Sequence, residues 1–135
     1  MQRFTDIRVW AQAHQMTLDI YRLTRHFPKE ELCGVTSQLR RAAASIGANV
    51  AEGSKKRTNP EYARLLNIAE ASLAETEYFL ILSRDLEYLP STEADTLIGN
   101  RNDLAKRLGA LRAKVESGSH RQPSTVDCKP TGGHP

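Results

Sequence analysis

The sequence has little cysteine, few aromatic residues and no long apolar run. Two cysteines among 135 residues cannot form a disulfide framework, so we expect reduced thiols and a cytoplasmic protein. No apolar run approaches the roughly 20 residues of a membrane-spanning helix, and the mean hydropathy is −0.52. The first six residues, Met-Gln-Arg-Phe-Thr-Asp, also lack the apolar core of a secretory signal. These absences predict a protein without a membrane segment.

Signatures of catalysis and of metal binding are missing as well. The sequence contains no Glu-x-x-His pair of the kind that di-iron bundles use. The stretch from Gly47 to Lys55 has neither the spacing nor the preceding strand of a phosphate-binding loop. Cys33 has no motif that would supply it with a base. The histidines form no cluster with metal-ligand spacing: His14, His26, His120 and His134. We therefore expect no enzymatic activity, no metal and no cofactor.

What the sequence does contain is apolar residues at helical spacing in four segments. The stripes predict helices over about residues 6–26, 36–53, 60–86 and 92–116. Short polar connectors between them favour an all-α fold, an up-down-up-down antiparallel four-helix bundle spanning residues 1–116. Residues 117–135 have too few apolar side chains to join a core, so a disordered C-terminal tail is predicted.

Residues that suit helix N-termini precede or open each predicted helix. Their side-chain oxygens can accept hydrogen bonds from the unpaired N–H groups of the first turn. The candidates are Asp6 for the first helix, Thr36 or Ser37 for the second, Asn59 or a Thr58-x-x-Glu61 capping box for the third, and a Thr92-x-x-Asp95 capping box for the fourth.

The second helix is rich in small residues. Beside its core stripe it carries another stripe of small side chains: Ala44, Gly47, Ala51 and Ser54. Two such faces exceed what one bundle needs, which predicts that a second subunit packs on this helix. A glycine inside a helix costs about 1 kcal/mol relative to alanine, so Gly47 indicates close packing.

Asn49 and Glu52 allow two interpretations each. Asn49 is either a buried polar group that bonds across the core or a partly exposed residue near the helix end. Glu52 either pairs with Lys56 on the surface, four residues away, or lines a cleft together with Asn49. Because small residues surround Asn49, we favour the buried position for it, whereas the sequence leaves the role of Glu52 open.

Positive charge is concentrated in the first half of the chain. The total of 19 basic and 16 acidic residues gives a net charge of +3. Residues 1–60 hold ten Lys and Arg against five Asp and Glu, whereas residues 61–135 hold nine against eleven. Five basic residues in and after the second helix are candidate phosphate contacts: Arg40, Arg41, Lys55, Lys56 and Arg57. The asymmetry also fits one subunit docking on another.

Three stretches of the sequence resemble one family. They are Phe4-Thr-Asp-Ile-Arg-Val-Trp10, the second-helix pattern Gly34-Val-Thr-Ser-Gln-Leu-Arg-Arg-Ala-Ala with Asn49-Val-Ala-Glu-Gly53, and Ile68-Ala-Glu-Ala-Ser-Leu-Ala-Glu-Thr-Glu77. The pattern is similar to that of the four-helix-bundle proteins encoded by intervening sequences within bacterial 23S rRNA genes. Where that family commonly has proline, this chain has Gly47, so the resemblance does not carry over the proline kink or a groove that depends on it.

The resemblance implies a cytoplasmic, non-enzymatic protein that assembles as a homopentamer. A related branch of the family serves as the accessory protein of diversity-generating retroelements, where it contacts a reverse transcriptase and RNA. RNA or a nucleic-acid enzyme is therefore the implied partner besides the protein itself. Asn49, Glu52 and Gly53 belong to the shared motif and are candidate cleft residues. The alternative is a protein-interaction scaffold that binds no nucleic acid.

Overall fold

The structure, a computed structural model, describes residues 3–118. Four α-helices account for most of this part of the chain: α1 (Arg8–Thr24), α2 (Val35–Gly53), α3 (Asn59–Asp85) and α4 (Ser91–Glu116). Two short 3-10 turns, Phe4–Asp6 and Lys29–Glu31, precede α1 and α2. Residues 3–118 contain no strand, so the predicted all-α class is confirmed. Of the predicted tail, residues 119–135 lie outside the described residues.

Contacts between consecutive helices join residues in opposite chain order. From α1 to α2, the Thr17 hydroxyl donates to the Ala43 carbonyl at 3.1 Å, and Arg40 donates to Thr24 at 2.7 Å. The same reversal links α2 to α3 and α3 to α4. The pairs are Arg41 with Glu75, Ser45 with Ser72, Arg84 with Asp95, and Arg112 with Glu70.

The apolar stripes of the helices meet in one core. It includes Ile20 from α1, Leu39 and Ile46 from α2, Leu73 from α3 and Leu104 from α4, each almost fully buried. These residues fall on the helical stripes predicted from the sequence. Burying an aliphatic side chain of this size contributes about 1.5–3 kcal/mol, so the stripes are the main source of stability.

The starts of α1 and α2 differ from the predicted caps. Asp6 does not cap α1, because it lies in the 3-10 turn and Ile7 occupies the N-cap position. Thr36 and Ser37 do not cap α2, because that helix starts earlier, with Gly34 at its N-cap. Glu31 takes over part of the capping instead: its carboxylate accepts a hydrogen bond from the Val35 amide at 3.2 Å.

At the start of α3, one of the two predicted caps is confirmed. Thr58 caps the helix, and its hydroxyl accepts a hydrogen bond from the Glu61 amide at 3.3 Å, whereas Asn59 is the first helical residue and does not cap it. The predicted box at Thr92 and Asp95 does not form, because α4 already begins at Ser91. Asp95 instead accepts a hydrogen bond from Arg84 of α3 at 3.4 Å.

The turn between α3 and α4 contains a left-handed residue. Glu87 has φ 65°, and the Tyr88 amide then reaches back to the Ser83 carbonyl at 2.9 Å. This arrangement terminates α3, although the left-handed region usually favours glycine. The Tyr88 hydroxyl donates to Glu31 at 2.8 Å, and its ring lies 5.6 Å from that of Phe27. The α1–α2 connector and the α3–α4 turn are thus tied together at one end of the molecule.

Among residues 3–118, no helix combines the length and apolar character needed to cross a bilayer.

Candidate nucleic-acid interface

The five basic candidates do not form one cluster. Arg40 and Arg41 lie in the first half of α2, whereas Lys55, Lys56 and Arg57 follow its last residue, Gly53. From Arg41 to the end of α2 at Gly53 the helix runs twelve residues, which is about 18 Å along the axis at 1.5 Å per residue. The single basic surface considered from the sequence is therefore two separate regions.

Arg40 is held by the end of α1. Its Nε donates to the Thr24 hydroxyl at 2.7 Å, and its Nη2 donates to the Tyr21 carbonyl at 3.3 Å. The guanidinium carbon also lies 4.7 Å from the centre of the Tyr21 ring, in cation–π geometry. Thr24 is buried and donates in turn to the Ile20 carbonyl. Arg40 therefore stabilises the C-terminal turns of α1, where a positive charge also complements the helix dipole.

Arg41 is held by the neighbouring helix. Its Nη2 donates to the Glu75 carboxylate of α3 and to the Gln38 side chain at 3.2 Å. The pair is partly exposed, so its contribution to stability is about 0–1 kcal/mol. A phosphate group at Arg41 would have to compete with Glu75 for the guanidinium.

The second region is the link between α2 and α3. Lys55 and Arg57 are exposed and Lys56 is half-buried. Lys56 pairs with Glu52 at 3.7 Å, one helical turn earlier, as the surface interpretation of Glu52 predicts. Such a pair is worth only a few tenths of a kcal/mol. Three adjacent cationic residues therefore lie in the link that follows α2, and two of them, Lys55 and Arg57, are exposed.

Gly53 fixes the position of this link. A Cβ atom at residue 53 would lie 2.9 Å from Cδ1 of Tyr62 and 3.2 Å from Cβ of Leu65. Only glycine lets the end of α2 approach the start of α3 so closely. Tyr62 is almost fully buried, and this burial raises the pKa of its phenol. The motif glycine thus has a packing role that the sequence did not reveal.

Asn49 is a half-buried residue that bonds within its own helix. Its amide donates to the Ser45 carbonyl at 2.8 Å and to the Ser45 hydroxyl at 3.0 Å. Ser72 of α3 donates to the same Ser45 hydroxyl at 2.9 Å. The bond between α2 and α3 is therefore made by the two serines, while Asn49 orients one of them. The favoured prediction, a buried Asn49 that bonds across the core, is therefore wrong: the residue is half-buried and Ser45 makes that bond instead.

The stripe of small residues on α2 is partly covered by the chain itself. Gly47 is buried, and a Cβ atom there would lie 3.5 Å from Nε1 of Trp10. Trp10 of α1 thus lies beside Gly47 at an ordinary van der Waals distance, so a Cβ atom would fit there and the close approach expected at this glycine is not found. Ala44 is exposed and Ala51 is half-buried, so part of the stripe is still open to a neighbour.

Several residues near the link escaped the sequence analysis. Arg64 is exposed in the second turn of α3, and it was overlooked because residues 61–90 are acidic as a group. It lines a cleft of about 490 Å³ between the start of α3 and the end of α4, with Asn67 and Glu116.

Trp10 and His14 of α1 stack on each other, with ring centroids 4.9 Å apart. Their four-residue spacing on a helix was the signal that could have indicated this contact.

Metal binding and thiol chemistry receive no support from this region. In the part of the chain that the structure describes, no three His, Cys, Asp or Glu side chains are grouped so that they could hold a metal ion. Cys33 is exposed in the connector before α2 and contributes nothing to the core.

Comparison with known proteins agrees with the sequence motifs. The family model for 23S rRNA-intervening sequence proteins matches residues 5–110, which confirms the predicted resemblance. The chain is also similar to a crystal structure of a protein of unknown function from the S23 ribosomal protein family of Bacteroides thetaiotaomicron. The two are 24% identical with a TM-score of 0.72, and the match covers 77% of this chain and 97% of that one. At this identity the likeness establishes a shared fold. No match was found among curated proteins.

Proposed function

The chain belongs to the family of 23S rRNA-intervening sequence proteins, and from that premise we propose a non-enzymatic, cytoplasmic protein that self-assembles and binds RNA. Binding is weak and tolerant of sequence, as expected for contacts to phosphates alone. The observation that carries the proposal is the exposed link Lys55-Lys56-Arg57 at the end of α2. Arg40 and Arg41 bond to neighbouring helices within the fold, so they are not part of the proposed RNA-binding surface.

The basic link has the properties of a backbone-binding surface. Lys and Arg side chains displace condensed counterions when they contact phosphates, and this release drives non-specific binding. Exposed Arg64 adds a fourth cation near the same end of the bundle. In an oligomer each subunit repeats the cluster, so one RNA can engage several weak sites at once.

Self-assembly is supported by an exposed face of small and apolar residues. Along its outer side α3 exposes Ile68, Tyr78 and two alanines between them, Ala71 and Ala74. Contact of this face with a different face of the next subunit is heterologous, and repeating such a contact closes a ring when its rotation divides a full turn. The family resemblance suggests five subunits.

The RNA proposal is tested by fluorescence anisotropy with a labelled structured RNA at low salt. We expect weak binding by wild type and loss of most of it when Lys55, Lys56 and Arg57 are all replaced by alanine. A matched control replaces three exposed cations at the opposite end of the bundle: Arg22, Arg25 and Lys29. It removes the same charge and should retain most of the affinity. Equal losses in both variants, or no binding by wild type, would contradict the proposal.

The same variants separate RNA binding from the scaffold alternative. Light scattering coupled to size-exclusion chromatography should give a mass several times the 15.1 kDa of one chain for wild type and for both variants. If the link variant dissociates while wild type binds no RNA, the link is a subunit contact and the scaffold interpretation is correct. A wild-type mass of one chain at all concentrations would refute self-assembly.

A further inference from the structure

Three aromatic rings form a column on the outside of the molecule. His14 follows Trp10 by four residues, so both side chains lie on one face of α1. Their rings are nearly parallel, with an interplanar angle of 11° and centroids 4.9 Å apart. Phe4, from the preceding 3-10 turn, meets the indole edge-on at 5.2 Å and 70°. The column thus begins at Phe4, passes through Trp10 and ends at His14.

The fold holds this column in place. The indole of Trp10 is half-buried and lies beside Gly47 of α2. A Cβ atom added at residue 47 would lie 3.5 Å from the indole Nε1. The indole thus lies between the α2 backbone at Gly47 and the imidazole that stacks on it. His14 itself is exposed, as is Leu18 one turn later with 47% of its surface accessible. An ordered ring at an exposed position needs little further ordering on binding.

The column lies on the half of the molecule that carries the basic link. Gly47, which lies beside Trp10, precedes Gly53 at the end of α2 by six residues, or about 9 Å of helix, and the link follows directly. Proteins that bind single strands combine cations along the backbone with aromatic rings on which bases stack, over sites of about 4–16 nucleotides. This half of the molecule carries both elements.

We infer that the column Phe4–Trp10–His14 is a stacking site for a base of single-stranded RNA, with His14 as the contact ring. The base stacks on the imidazole while neighbouring phosphates lie along the cations of the link. This inference rests on the proposed function and adds the class of RNA: unpaired strands are preferred, since a base in a duplex has no accessible ring face. Because any base can stack, the preference does not depend on sequence.

The chain carries its own probe for this contact, because Trp10 is its single tryptophan. Titration with a twelve-nucleotide oligoadenylate should change the emission of Trp10, and an abasic oligomer of equal length and charge should not. His14→Ala should weaken oligoadenylate binding about tenfold, within the range for loss of one base stack. His14→Phe keeps a planar ring and should restore the affinity. His26→Ala, an exposed histidine at the other end of the bundle, is the matched control.

Failures of the two proposals can be told apart. Salt-dependent binding of oligoadenylate with unchanged Trp10 emission, and with no effect of His14→Ala, would overturn the stacking site and leave phosphate binding intact. Equal affinity for the abasic oligomer would overturn it as well. No binding of either oligomer would overturn both proposals. A His14→Ala variant that loses its oligomeric mass would assign this face to a subunit contact and would also overturn the stacking site.

Discussion

The two ends of α2 carry the same kinds of side chain in different surroundings. At the start of the helix, Arg40 is bonded to the end of α1 and Arg41 is paired with Glu75 of α3. Beyond the last residue of the helix, Lys55 and Arg57 are exposed on a connector. One pair of basic residues contributes to the fold, and the other stands where a ligand can reach it.

The difference shows that a count of charges does not locate a binding surface. Cations in a helix that packs on two neighbours find carbonyls, hydroxyls and carboxylates within the protein. Cations in a connector extend from a segment with fewer neighbours. The three-dimensional position of each residue therefore decides whether its charge stabilises the bundle or can meet a phosphate.

The largest expected effect concerns the glycine that places the link. Gly53→Ala should lower the free energy of unfolding by about 2 kcal/mol, because overpacking a tight site typically costs about 1–3 kcal/mol. Its new Cβ would lie 2.9 Å from the ring of buried Tyr62. Urea denaturation followed by circular dichroism measures the change.

Gly99→Ala in α4 is the control for Gly53→Ala. No atom lies within 4 Å of a Cβ built at residue 99. Alanine should therefore stabilise this helix by about 1 kcal/mol through its higher helix propensity. If both substitutions have the same sign, the close approach at Gly53 does not constrain the link.

The next prediction compares the loss of stability when one basic residue of α2, Arg40, and one of the link, Arg57, are each replaced by alanine. Arg40→Ala should cost about 1–2 kcal/mol, because it removes a charge-assisted hydrogen bond to the buried Thr24 hydroxyl. Arg57→Ala should change stability by less than about 0.5 kcal/mol, as is usual at an exposed position. Thermal and urea unfolding of both variants test the division directly. A larger loss for Arg57→Ala would reverse the assignment of roles.

The smallest effect is a gain in stability at the Arg40 end of the bundle. A left-handed conformation costs a residue with a side chain about 1–2 kcal/mol, and Glu87 adopts it with φ 65°. Glu87→Gly should remove that cost and raise stability by about 0.5–1 kcal/mol, since glycine loses more entropy on folding. An unchanged or lower unfolding midpoint would show that the Glu87 side chain compensates for its backbone.

The helices could be predicted from the sequence because burial follows periodicity. Ile46, Leu73 and Leu104 lie in the core at the positions that the apolar stripes specify. The residues at which the helices begin were harder to predict from the sequence. A capping residue works only at the position where the helix begins, and neighbours can move that point, as Glu31 does for α2. For α3 the sequence allowed Asn59 or Thr58 as the cap, because Pro60 suits the first turn in either case, and the structure selects Thr58.

The candidate site was predictable only in part. The basic link is a contiguous motif and can be read directly from the sequence. The engagement of Arg40 depends on Tyr21 and Thr24, residues of another helix, and the contact of Trp10 with Gly47 also joins two helices. Such contacts follow from how the helices pack, and one sequence does not specify that packing residue by residue.

The most direct test of the division between the two regions is the salt dependence of RNA binding. Each phosphate contact to a single strand contributes about 0.7 to the slope of log affinity against log salt. Replacing Lys55, Lys56 and Arg57 by alanine should reduce that slope by about 2 if all three contact phosphates. Replacing Arg22, Arg25 and Lys29 should leave it unchanged. A slope that is the same for wild type and the link variant would contradict the account.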